Sequence, residues 1–97
     1  MSAPALDMVL HPPARLQIAA VLAKVNEAEF ARLKDVTEVS DSVLSKHLSA
    51  LGEAGYVKLR KGTIDGRQRT WVSLTGAGRT AFEGHLAALQ ELARGLG

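Results

Sequence analysis

The sequence predicts a mainly α, single-domain chain with a small β-hairpin, and three observations predict it. The run from Ser40 to Leu51 puts Leu44, Leu48 and Leu51 on one stripe of a short helix. After Gly55, two stretches alternate apolar and polar side chains on either side of Asp65-Gly66, a strong hairpin turn signal. Between Phe82 and Leu96 apolar residues return at spacings of three and four, which is helical.

The elements follow in order. Residues 1–11 are irregular, with Pro4 early and Pro12-Pro13 closing the segment. Leu6, Met8, Val9 and Leu10 are too apolar for a free tail, so this segment is expected to pack on something, and the dimer interface is the expected place. Pro13 suits the first position of a helix running to Lys24, apolar around much of its circumference and so heavily buried. Glu27 to Phe30 reads as a brief strand. Phe30, Leu33 and Val36 or Thr37 space a second short helix, ending near Thr37-Glu38. Ser40 is a good N-cap, with Asp41 in the favourable first turn of a third helix reaching about Ala54. Gly55 supplies its left-handed stop.

Strands are expected at about Tyr56–Lys61 and Arg67–Leu74, joined by a loop from Gly62 to Gly66. Alternation assigns Val57, Leu59, Val72 and Leu74 to the core face, and Lys58, Arg60, Arg69, Trp71 and Ser73 to the wet face. Thr75 caps a last helix from about Gly76 to Arg94. The second and third helices form a helix-turn-helix unit over about 30–54, and the hairpin over about 56–74 is its wing. The fold class is therefore a winged helix-turn-helix, an α/β winged helix over 12–97 with flanking dimerisation helices, the last at about 76–95.

Composition bounds the partners. The 97 residues carry no cysteine, which excludes disulfides and thiolate metal sites and makes a reducing cytoplasm the simplest compartment. No apolar run is long enough to span a bilayer, and no basic segment precedes an apolar one at the N-terminus. The net charge is only +2, but its distribution is uneven. From Asn26 to Asp41 there are five acids and two bases; from Lys58 to Arg69 there are five bases and one acid. Such a stripe is a footprint for a polyanion, or alternatively a solvated hairpin that uses charge to resist edge pairing.

The run Phe30-Ala31-Arg32-Leu33, then Val39-Ser40-Asp41-Ser42-Val43-Leu44-Ser45-Lys46-His47-Leu48, then Leu51-Gly52-Glu53-Ala54-Gly55-Tyr56-Val57 resembles the core of small prokaryotic winged-helix transcriptional regulators, MarR-like and ArsR-like. Asp65-Gly66-Arg67 is similar to the MarR-like Asp-x-Arg of the wing, and Leu74-Thr75-Gly76-Ala77-Gly78 to the Leu-Thr-x-x-Gly entry of the next helix. The similarity covers about residues 13–85. It implies a dimeric regulator of double-stranded DNA, with residues 41–54 in the major groove and the wing on the minor groove and phosphates. Only one helix precedes the unit and one follows the wing, a departure from the longer MarR-like proteins whose extra helices make a ligand pocket, so the resemblance does not carry such a pocket over and any small-molecule effector stays unknown.

The residues assigned to DNA are Ser40, Ser42, Ser45, Lys46, His47 and Ser49 on the third helix, and Arg60, Lys61, Arg67 and Arg69 on the wing. Short hydroxyl side chains let a helix approach base edges, and Lys46 reaches a guanine or a phosphate. A solvated helix face is the plain alternative. His47 either touches DNA, by resemblance to ArsR-like helices, or rests at the helix edge against the wing. By resemblance the tip arginine enters the minor groove, while Asp65 orients an arginine or closes the turn. Trp71 reads as a packing lid over the wing base. The dimer interface is assigned to Leu16, Ile18 and Leu22 of the first helix with Phe82, Leu86, Leu89, Ala93 and Leu96 of the last; folding onto its own domain is the alternative. His11, His47 and His85 are scattered without ligand spacing, so no metal or cofactor is expected. No paired carboxylates, nucleophile with a base or Gly-rich phosphate loop suggest an enzyme. The competing function is a winged helix that binds protein rather than DNA.

Overall fold

The computed structural model describes residues 5–96, with side chains to Gly95. Its elements are α1 (Pro13–Leu22), β1 (Ala28–Glu29), α2 (Phe30–Thr37), α3 (Asp41–Glu53), β2 (Val57–Ile64), β3 (Arg67–Leu74) and α4 (Gly76–Leu96). Pro13 opens α1 as expected. The Ser40 hydroxyl accepts the Val43 N–H at 3.3 Å, satisfying one of the free donors at the start of α3. Asp41 reaches back to Lys34 of α2 at 2.7 Å, tying the two helices across their short connection.

The three strands form one antiparallel sheet in the order β1-β3-β2. Leu10, Ile18, Leu22, Leu33, Leu44, Leu48, Leu51 and Val72 are essentially inaccessible and build one core between the helices and the near half of the sheet. Because β2 is an edge strand, the helices do not cover its outer stretch. Leu59 lies opposite Val72 yet is 48% exposed, against the core role that alternation gave it.

The hairpin is tighter than expected. Gly62, Thr63 and Ile64 belong to β2, and pairing runs to Ile64 opposite Arg67. Only Asp65 and Gly66 form the turn, with φ of 51° and 75°. Two consecutive positive φ values give the turn a twist that matches the strands, so no longer loop is needed.

The entry to α4 gives the Leu-Thr-x-x-Gly pattern a physical reason. The Thr75 hydroxyl donates to the Gly55 carbonyl at 2.6 Å and accepts the Gly78 N–H at 2.9 Å. A Cβ at residue 78 would run into the backbone carbonyl of Tyr56, so only glycine lets α4 come this close.

The N-terminal segment packs on its own domain. Leu10 is fully buried, and the Asp7 carboxylate accepts the Val9 and Leu10 N–H groups and the Tyr56 hydroxyl, the last at 2.5 Å. The Asp7 N–H donates to Nδ1 of His85 on α4 at 2.8 Å. Residues 1–4, including Pro4, lie outside the described residues.

The buried face of α4 is Gly78, Ala81, Phe82, His85 and Ala88, offset from the stripe that the sequence suggested. Leu86 is 39% exposed, Leu89 half-buried and Ala93 exposed; the Leu96 side chain lies outside the described residues. Ile18 and Leu22 are inaccessible inside the domain's own core, so a partner cannot touch them, and Leu16 packs against that core.

Candidate nucleic-acid interface

The polar face of α3 is open. Leu44, Leu48 and Leu51 point inward, so helical geometry turns Ser42, Ser45, Lys46 and Ser49 outward, and all four are exposed. Ser40 is exposed as well, with its hydroxyl engaged in the cap and 3.3 Å from that of Ser42. His47 is half-buried beside α1, not against the wing. Its Nδ1 accepts the Nε–H of Arg15 at 3.0 Å, which places its own ring proton, when neutral, on Nε2. Burial, with the Arg15 guanidinium close by, pushes the His47 imidazole below its ordinary value of 6.5. Arg15 also donates to the Val9 carbonyl at 3.1 Å, so it links the N-terminal segment to α3.

The five wing cations divide into two groups. Arg60 donates twice to Glu27, at 2.6 and 3.3 Å, and its guanidinium lies 4.3 Å above the Trp71 ring. The hydrogen bond to Glu27 raises the Arg60 pKa, and its counterpart lowers that of Glu27. Trp71 lies across Gly62, where a Cβ would come within 2.9 Å of the ring, so Trp71 is the lid over the wing base. Arg69 is 4.0 Å from Glu29, and its Nε has no hydrogen-bond partner among the described residues. These two arginines are therefore partly neutralised by the acidic stretch beside β1. Lys58, Lys61 and Arg67 are exposed and, like Lys46, have no carboxylate partner among the described residues. Asp65 closes the turn through its left-handed backbone.

Between α3 and the wing lies an open cleft of 230 Å³. Ser45 and Ser49 form its α3 wall; Leu59, Lys61 and Thr70 form its sheet wall; Phe30 and Leu48 close its floor. The α3 face and the wing thus share one surface. Leu59 is the residue of this surface that the sequence reading missed. The signal available was its neighbour pattern: it alternates with Lys58 and Arg60 on a strand that ends in a turn with nothing paired beyond it.

The histidines are scattered in sequence but not in space. His11 Nδ1 and His85 Nε2 are 3.4 Å apart with the rings edge to face, a contact that sequence spacing does not announce. Among the described residues no three potential metal ligands converge, and no helix is long and apolar enough to cross a membrane.

The model of the family described as a winged helix DNA-binding domain matches residues 14–93. An uncharacterized protein of Methanocaldococcus jannaschii is 31% identical over 88 residues, covering 91% of this chain and 96% of its own length. Among solved structures, a transcriptional regulator homologue from Pyrococcus horikoshii OT3 is 31% identical with a TM-score of 0.83, covering 91% of this chain and 87% of that one. The YusO protein of Bacillus subtilis is 26% identical with a TM-score of 0.74, over 84% of this chain and 57% of that one. The resemblance to small prokaryotic winged-helix regulators holds along most of the sequence, and the chain belongs to the winged helix DNA-binding domain family.

Proposed function

We propose that this protein is a sequence-specific transcriptional regulator of double-stranded DNA that acts as a homodimer in the cytoplasm and has no enzymatic activity. In this reading α3 enters the major groove with Ser42 and Lys46 toward the base edges, while Ser45 and Ser49 face the backbone on the side of the wing. The wing lays Arg67 on the minor groove and Lys61 on the phosphates. Arg60 and Arg69 support the wing from its base, and His47 steadies α3 against α1. The observation that carries the reading is the shared cleft: hydroxyls from the recognition face and an unpaired lysine from the wing line the same opening. That is what a polyanion crossing from one element to the other requires.

The dimer rests on α4. The side of α4 that buries His85 and Ala88 continues one turn further to Leu92, which is 49% exposed, and Leu86, 39% exposed, lies about 120° round the helix from it. A second copy crossing there would cover them and set two α3 helices about 34 Å apart, so the operator is a near-palindrome. Leu86→Glu would then place an unpaired carboxylate in the interface and shift the protein to monomer.

The test is a mobility-shift titration over a range of salt concentrations, paired with sedimentation. Each phosphate contact adds about 0.9 to the log–log salt slope. A chain that binds no duplex in low salt returns the fold to the protein-binding alternative. A chain that stays monomeric at micromolar concentration removes the dimer and the palindrome.

A further inference from the structure

We infer that the cleft between α3 and the wing is a built seat for one deoxyribose-phosphate unit of the DNA backbone, with Leu59 as the surface on which the sugar rests. This deepens the DNA-binding reading and rests on it. The chemistry of the walls is mixed in the way a sugar-phosphate is mixed. Leu59, 48% exposed, leaves about half of an apolar side chain open to solvent in the cleft. Opposite it stand the Ser45 and Ser49 hydroxyls, and beside it the Lys61 ammonium, which has no carboxylate partner among the described residues. A phosphate takes hydrogen bonds from the hydroxyls and charge from the lysine; the apolar edge of a deoxyribose covers the leucine.

Two further grooves sharpen the assignment. The groove of 280 Å³ between β1, α2 and β3 is lined by Glu29, and that of 400 Å³ beside α1 and β1 by Glu27. A phosphate entering either meets a carboxylate. The cleft at Leu59 has no acidic side chain on its walls. It is also open and below the size that encloses a small organic ligand, about 300 Å³ and upward. A charged, continuous strand passing over it fits better than a detached molecule held within it. An apolar protein segment would gain from Leu59 but leave Lys61 and both serines without use.

The contact has its own signature, because burying an apolar side chain releases no counterions. Loss of Leu59 must weaken binding at every salt concentration without changing the salt slope, whereas loss of Lys61 must lower the slope by about 0.9. The experiment measures anisotropy of a labelled, mixed-sequence duplex with the full chain and its Leu59→Asn, Leu59→Met and Lys61→Ala variants. Leu59→Asn is expected to bind about three- to tenfold more weakly with an unaltered slope. Leu59→Met, still apolar and of similar size, should keep wild-type affinity within about twofold. Melting curves check that the variants fold. Methyl resonances of wild-type protein give a second readout: Leu59 should shift on adding duplex while the core residue Leu22 does not. A Leu59→Asn chain that binds like wild type, or a Leu59 methyl indifferent to DNA, overturns the inference alone and leaves the cleft to another occupant. A wild-type chain that binds no duplex removes both this inference and the reading beneath it.

Discussion

The cations of the wing serve two opposite purposes, depending on whether an acid lies beside them. Next to β1, Arg60 is held by Glu27 and stacked on Trp71, and Arg69 leans toward Glu29. Arg67 beside the turn, and Lys61 on the face of β2 opposite to that of Arg60, stand in solvent with no partner among the described residues. The difference comes from β1: this two-residue strand pairs with β3 only at Ala28 and Glu29, opposite Val72 and Trp71. It therefore brings acids to Arg60 and Arg69, on the face of the hairpin that carries Trp71, and leaves Lys61, on the other face, and Arg67, at the turn, bare. Whether an arginine is structural or available is decided by what packs beside it.

The largest effect should come from removing the two exposed cations. Lys61→Ala with Arg67→Ala should lower DNA affinity at least about tenfold in low salt and the salt slope by at least about 0.9, the share of the Lys61 phosphate contact, while the melting temperature holds. A large fall in melting temperature would place the two cations with Arg60 and Arg69. Trp71→Ala tests the base from the other direction. It should lower folding stability by about 2 kcal/mol in a denaturant titration, roughly half the loss for a fully buried aromatic, because Trp71 is half-buried.

The turn between the two regions is next. Gly66 sits at φ 75° with open space around its Cβ, so Gly66→Ala meets no clash and costs only the left-handed backbone, about 1 kcal/mol. A loss several times larger would mean that the turn also orders the tip side chains.

The smallest effect is the pH dependence of α3 against α1. His47 titrates below 6.5 in the folded protein, from burial and then Arg15. As pH falls through about 6.5 the unfolded chain takes up the proton first, so stability decreases until the folded imidazole is protonated as well. Wild-type melting temperature should therefore fall between pH 7 and pH 5, and His47→Gln should flatten part of that slope. An unchanged slope in His47→Gln assigns the pH dependence to other groups.

Much of this molecule was legible in the sequence because its signals are local. Ser40 announces the start of α3, Gly55 its end, Asp65-Gly66 the turn, and the Leu44, Leu48, Leu51 spacing tells which face is free. What was not legible depends on distant segments meeting. Alternation treats every strand as covered along its whole length, so it put Leu59 in the core; only the sheet order, with β2 at the edge, exposes it. Charge counting read five wing cations as one footprint, since Glu27 and Glu29 lie more than 30 residues away in sequence. The α4 stripe was offset because leucines were counted toward burial and His85 was not. That histidine is buried because its ring nitrogens find Asp7 N–H and His11.

The tie between Asp7 and His85 spans 78 residues, and that between Asp7 and Tyr56 spans 49. During synthesis the N-terminal segment emerges first, yet the His85 end of its seat does not exist until α4 has left the ribosome. Leu10 belongs to the core that α1, α2 and α3 build, but the Asp7 contacts that hold its segment wait for Tyr56 and then His85. Loop closure over such separations is slow compared with forming α3 or the hairpin. Anchoring of Asp7 to α4 is therefore expected late in folding, after α3 and the hairpin have formed.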